Sequence, residues 1–155
     1  MGFYTKHFLQ LTEDGFVVRP AYMDTYLSHG IRCAIGQMRT SSHNLEIETG
    51  RLREVQGEDR ICRLCRIEPE TEFHHLCRCP VYYEIRGRFH CLFKEEFGPL
   101  TKVMNYEDPR CLGLFLLELR KHKENLLKKP DNERHMHKEI TSSFKTQICS
   151  MKQDS

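Results

Sequence analysis

Two runs of sequence decide the fold: Arg60-Ile61-Cys62-Arg63-Leu64-Cys65 and, after Arg66–Thr71, Glu72-Phe73-His74-His75-Leu76-Cys77-Arg78-Cys79-Pro80. A Cys-x2-Cys pair on a tight turn aims two thiolates at one point, which is half of a tetrahedral zinc site. His74 and Cys79 complete the pattern Cys-x2-Cys-x8-His-x4-Cys. Zinc accepts mixed imidazole and thiolate ligands at ~2.0–2.3 Å, and four protein ligands leave no open position, so the spacing predicts a structural metal. The spacing alone leaves other partners open. His75 stands four before Cys79 and His74 three before Cys77, so His75 and Cys77 are alternative metal ligands. Cys77 also reads as a buried apolar residue, the usual fate of a free thiol. A redox Cys-x-x-Cys wants a strand–helix setting of thioredoxin type, and no such alternation surrounds this pair.

Composition agrees with a small intracellular metalloprotein. The chain has 155 residues, eight Cys, nine His and no Trp, and its 24 Lys+Arg against 22 Asp+Glu leave a formal charge of only +2. Length argues for one domain. The start, Met1-Gly2-Phe3-Tyr4-Thr5-Lys6-His7, has no apolar signal stretch, so the cysteines read as thiols or ligands rather than a disulfide framework. No apolar run approaches the ~18 residues of a membrane span. A nucleus or cytoplasm location is expected, with no membrane association. Near-neutral charge means that any nucleic-acid contact must come from a local basic face.

Outward from the cluster the pattern is helical. Tyr22, Tyr26, Leu27, Ile31, Ile35 and Met38 keep helical spacing over residues 21–39, with Gly30 as an interruption. A short turn through Leu45–Glu48 is expected to end at Gly50. Val81, Tyr82, Ile85, Phe89, Leu92, Phe93 and Phe97 predict a helix over 81–97, with Pro80 at its first position. The clearest helix covers 109–129, capped by Asp108, started by Pro109, and striped by Leu112, Phe115, Leu116, Leu119 and Leu126. The fold class is therefore mostly α: a small helical domain with a zinc-stapled loop-and-helix unit. Its expected organisation is an N-terminal arm (1–20), a helical zinc-binding domain (21–129, metal unit about 58–82) and a flexible polar tail (130–155). Zinc would supply ~10–16 kcal/mol of folding free energy to such a unit, so chelation is expected to unfold residues 50–85 at least.

Three blocks resemble a known family. They are Arg32-Cys33-Ala34-Ile35-Gly36-Gln37-Met38-Arg39-Thr40-Ser41-Ser42-His43-Asn44-Leu45-Glu46-Ile47-Glu48-Thr49-Gly50-Arg51, then Glu58-Asp59-Arg60-Ile61-Cys62-Arg63-Leu64-Cys65, then Glu70-Thr71-Glu72-Phe73-His74-His75-Leu76-Cys77-Arg78-Cys79-Pro80-Val81-Tyr82. In this order the chain is similar to the zinc-binding C-terminal module of non-LTR (LINE-like) retrotransposon reverse transcriptases, over roughly residues 30–95 and more weakly to about 128. The resemblance implies Cys62, Cys65, His74 and Cys79 as ligands, and a role in handling nucleic acid beside a polymerase core. His75 departs from the family, which carries an aromatic or apolar residue there. The core itself is not in this sequence: it has no Tyr-x-Asp-Asp motif and no adjacent Asp pair. Two-metal phosphoryl transfer needs clustered carboxylates, so no enzyme is expected, and the chain reads as a module detached from its reverse transcriptase.

The functional expectation is a zinc domain that contacts RNA or DNA. Arg51, Arg53, Arg60, Arg63, Arg66 and Arg78 surround the cluster and suit phosphate. Phe73, His75, Tyr82 and Tyr83 are candidates for base stacking. Glu46, Glu48, Glu54, Glu58, Asp59, Glu68, Glu70 and Glu72 share the region and neutralise much of this charge. The alternative is a scaffold fragment that docks its apolar helix 109–127 on a reverse transcriptase core or another protein. The basic run Arg120-Lys121-His122-Lys123 reads as a solvated helix face suited to the C-terminal dipole, with phosphate contact or nuclear import as the other reading. His43 reads as a buried structural histidine or as a partner behind the metal ligands.

Overall fold

The computed structural model describes residues 13–14, 20–93 and 100–130. Among these the protein is mostly helical, and an isolated antiparallel bridge between Ile61 and Pro69 is the sole β feature. The arm expected over 1–20 and the tail over 130–155 fall almost wholly outside the described residues, as does the His135-Met136-His137 run.

Two helices carry the core. Helix α1 (His29–Arg39) buries Ile31, Ala34, Ile35 and Met38. The second is Pro109–Lys128, which buries Leu112, Phe115, Leu116, Leu119 and Leu126. The Asp108 carboxylate accepts from the Arg110 and Cys111 amides at 2.9 and 3.3 Å, so this helix starts where its cap and Pro109 predict. The two helices approach closely at Gly113: a Cβ there would sit 2.3 Å from Ile31 Cγ2. Between them in sequence lie α2 (Glu46–Leu52), α3 (Tyr83–Arg88) and α4 (Leu100–Met104), and the long helix is therefore α5.

Three sequence expectations change. The helical pattern read over 21–39, with a break expected at Gly30, breaks earlier: a 3-10 turn (Ala21–Met23) is followed by non-helical chain, and α1 begins at His29 with Ser28 extended ahead of it. Gly30 lies in its first turn and breaks nothing, while Tyr26 of the presumed stripe is fully exposed. Helix α2 does not stop at Gly50. It runs to Leu52 and closes on Glu54, whose φ is 59°. The Val55 amide donates to Gly50 O at 2.9 Å and the Glu54 amide to Arg51 O at 3.1 Å, the paired bonds of a Schellman end. Gly50 instead makes room for Arg60, whose Cγ would lie 2.7 Å from a Cβ at that position. Of the helix expected over 81–97, the described part is broken into a 3-10 turn (Pro80–Tyr82), α3, and a second 3-10 turn (His90–Phe93), while 94–97 lie outside the described residues. Gly87, with its low helix propensity, sits in the last turn of α3.

The apolar stripe of 109–127 is taken up inside the chain. Phe115 is fully buried, with Phe89 and Phe93 at ring-centroid distances of 5.5 and 5.4 Å. Leu114 is the large apolar residue of this helix that stays exposed. The face expected to dock on a partner is thus the core itself. No helix among the described residues is long and apolar enough to cross a membrane.

Candidate metal centre

The first two candidate ligands come from a tight loop. Pairing of Ile61 with Pro69 brings the Cys62 amide to Glu68 O at 3.0 Å and the Glu70 amide to Arg60 O at 2.9 Å. Inside this ladder the Arg66 amide donates to Cys62 O at 2.9 Å, and Arg66 takes a left-handed φ of 57° to turn the chain back. Cys62 and Cys65 therefore point to one side.

The other two ligands come from a π-helical turn, His74–Arg78. The Cys79 amide donates to His74 O at 2.7 Å, a five-residue step. In an α-helix residues five apart point about 140° away from each other. The wider π turn brings them toward one face, and such turns are frequent at functional sites. The Thr71 hydroxyl accepts from the His74 amide at 3.0 Å and fixes the start of the turn.

The outcome is a four-residue knot. The donor atoms of Cys62, Cys65, His74 and Cys79 all lie within 4.8 Å of one another, and all four residues are buried. Ligands of a tetrahedral ion at ~2.0–2.3 Å stand about 3.3–3.8 Å apart, so the knot is already near a metal's dimensions. The four residues are placed to hold a metal ion, and three sulfurs with one imidazole form a donor set consistent with zinc.

Electrostatics point the same way. Hydrogen bonds from Cys62 and then Cys79 push the Cys65 thiol down to about 3, against the opposing effect of burial. Hydrogen bonds with Cys62 and Cys65, together with burial, drive the Cys79 thiol strongly up. Burial disfavours a charged His74, yet bonds to Cys62 and Glu68 outweigh it and raise the ring's pKa. Buried sulfurs compete for protons in this knot, and a divalent cation relieves that competition.

The histidine is oriented from behind. His74 Nδ1 lies 2.8 Å from Glu68 Oε1, and its Nε2 lies 3.4 Å from Cys65 Sγ. A carboxylate only accepts, so Nδ1 carries the proton and Nε2 keeps its lone pair for the ion. Arg78 Nε stands 3.5 Å from the same Glu68 oxygen.

The alternative ligands lie elsewhere. His75 is buried, its ring edge-on to Tyr82 at 4.9 Å and its Nδ1 3.9 Å from Glu70. Burial, followed by the charge of Lys123, pushes its pKa well down, which keeps the ring neutral. Cys77 is half-buried against the core, and burial pushes its thiol up to about 11. Neither residue joins the four-donor knot.

The six arginines divide. Arg51, Arg53, Arg63, Arg66 and Arg78 are exposed. Arg51 pairs with Glu48 at 2.6 Å, Arg53 with Glu46, and Arg63 with Glu46 at 3.4 Å. Arg60 is half-buried and structural, donating to Val55 O at 2.9 Å and Ile47 O at 2.7 Å. Of the stacking candidates, His75 and Tyr82 are buried, Phe73 is half-buried and Tyr83 is exposed.

Three residues of the site were not anticipated in their roles. Glu68 orients His74. Glu70 is fully buried and holds Lys123 of α5 at 2.8 and 2.9 Å through both oxygens, while also accepting from the Glu46 amide at 2.8 Å. Lys123 is thus a buried partner of the metal loop, not part of a solvated face, and Arg120 of the same run bonds Gln37. Their signal in the sequence was an acidic residue among basic ones, which alone means little. The His43 side chain is 5% exposed and meets Glu72 at 3.1 Å, so it braces the chain beside the ligand turn.

No family model, curated protein or solved structure matches this chain.

Proposed function

We propose that this chain is a zinc-binding module of the retrotransposon reverse-transcriptase type, which holds one structural Zn2+ and presents arginines to RNA or DNA. One observation carries the reading: a buried set of four donors placed to hold a metal ion, with Arg63 and Arg66 of the metal loop and Arg78 of the π-helical turn exposed beside it. The ion has a structural role in this reading, because four protein donors leave no position for water or substrate. Arg63 and Arg78 meet Glu46 and Glu68 at 3.4 and 3.5 Å with their own guanidiniums exposed, so these contacts are long and of small energetic weight. Phosphate can displace them at low ionic strength. The sequence resemblance supports the nucleic-acid half of the reading, and the donor set supports the zinc half.

The test has two parts. Metal analysis of the purified chain is expected to give one zinc per molecule, lost in Cys79→Ser and kept in Cys77→Ser. Binding to single-stranded RNA and to duplex DNA is then followed against salt. Each phosphate contact removed by Arg63→Ala, Arg66→Ala or Arg78→Ala should flatten the log–log salt slope by about one. Absence of any complex at low salt, with zinc bound, would overturn the nucleic-acid reading while leaving the metal intact.

A further inference from the structure

Two thiols outside the metal knot face each other. Cys91 lies in the 3-10 turn His90–Phe93 and Cys111 in the first turn of α5, and their sulfurs are 3.3 Å apart. They are 20 positions apart in the chain, so the fold makes this contact rather than local geometry. Both residues are half-buried and keep a path to solvent. Both backbones are anchored. Phe93 and Phe89, on either side of Cys91, pack on Phe115, and the Asp108 cap holds the Cys111 amide. The sulfurs need to close by only about 1.2 Å to reach the ~2.05 Å of a disulfide, a move within reach of side-chain rotation.

We infer that Cys91 and Cys111 form a reversible dithiol–disulfide pair, a modification site for low-molecular-weight disulfides such as oxidised glutathione. The inference is independent of the proposed function. In the first step the Cys91 thiolate attacks one sulfur of the small disulfide. A Cys91–glutathione bond forms, the small S–S bond breaks, and one glutathione leaves as a thiolate that takes up a proton. In the second step the Cys111 sulfur attacks the Cys91 sulfur. The Cys91–Cys111 bond forms and the second glutathione leaves as a thiol. The protein gives up two electrons and two protons, and the small disulfide takes them up as two thiols. Burial, followed by Cys91, pushes the Cys111 thiol up to about 12, which keeps it protonated until the mixed disulfide stands beside it. There, proximity makes up for its small thiolate fraction. Oxidation closes a ring over residues 91–111, which contains α4, and ties the 3-10 turn to α5.

The test uses the full, metal-loaded chain. After incubation with oxidised glutathione, free thiols are alkylated and the protein is digested without reductant. The expected product is a peptide pair joined through Cys91 and Cys111. The mass falls by two hydrogens, the metal content is unchanged, and dithiothreitol reverses the link. Cys111→Ser stops one step earlier and is expected to carry glutathione on Cys91, with helical circular dichroism confirming its fold. Three results would overturn the inference: Cys91 and Cys111 both still open to alkylation, a separate glutathione on each, or a link joining other cysteines. A Cys91 free of glutathione in Cys111→Ser would count against it equally.

Discussion

At the scale of single residues, the metal knot depends on a histidine whose ring is held by a carboxylate. Glu68 Oε1 stands 2.8 Å from His74 Nδ1 and sets which nitrogen is left for the ion. Loss of such an outer partner usually lowers metal affinity about 10–100-fold. Glu68→Ala is therefore expected to weaken the metal by that factor in competition with a chromophoric chelator, with one ion still bound per chain. Unchanged affinity would mean that the ring is positioned by the turn alone. The grouping of Cys62, Cys65, His74 and Cys79 was legible from spacing because thiolates and imidazoles that converge on one point are close in sequence or stapled by a turn. The choice between His74 and His75 was not legible. It depends on a π-helical turn, which no residue pattern announces. Glu68 was equally hidden: the Cys62–Glu68 backbone pairing gives it its role, and a pairing register leaves no mark in so short a loop.

At the scale of elements, helix ends explain where reading by pattern worked and where it failed. Asp108-Pro109 was readable because cap and first-turn chemistry are local. The end of α2 was not, because glutamate rather than glycine occupies the left-handed position. An L-residue pays roughly 1–2 kcal/mol there, and glycine avoids this at some cost in chain entropy. Glu54→Gly is expected to stabilise the fold by about 1 kcal/mol, read as a higher urea midpoint at constant slope. A lower midpoint would show that the Glu54 side chain contributes more than its backbone costs. The opposite result is expected where α1 and α5 touch. A methyl at Gly113 would run into Ile31 Cγ2 at 2.3 Å, with Ile31 Cα behind it at 3.4 Å, so the helices must move apart. Overpacking of this kind costs about 1–3 kcal/mol, and Gly113→Ala should lower the midpoint accordingly. The sequence stripe identified which face of α5 is apolar; it carried no information on the distance to α1.

At the scale of the whole molecule, a buried ion pair wires the metal loop to the helical core. Lys123 Nζ reaches both oxygens of Glu70 and Asn44 O at 3.2 Å, and Glu70 also holds the start of α2. Burial raises the Glu70 pKa, and the Lys123 charge opposes that shift. Each partner is therefore costly without the other. Lys123→Ala would leave a buried carboxylate alone, which typically costs 3–5 kcal/mol, about half of a small domain's stability. Replacing both, as Lys123→Met with Glu70→Leu, is expected to recover most of that loss, because a matched apolar pair avoids desolvation. A double variant as unstable as Lys123→Ala would show that the Glu46 amide and Asn44 carbonyl need these charges for themselves. The same wiring predicts how far metal removal spreads. If the four donors hold an ion, its removal takes away the frame that holds Glu70, and Lys123 loses its partner in the C-terminal third of α5. Chelation should then unfold residues 50–85 and also release amide protection along α5, in one transition by hydrogen exchange. If α5 keeps full protection after chelation while residues 60–80 lose theirs, the metal is a local staple and the ion pair does not transmit its loss.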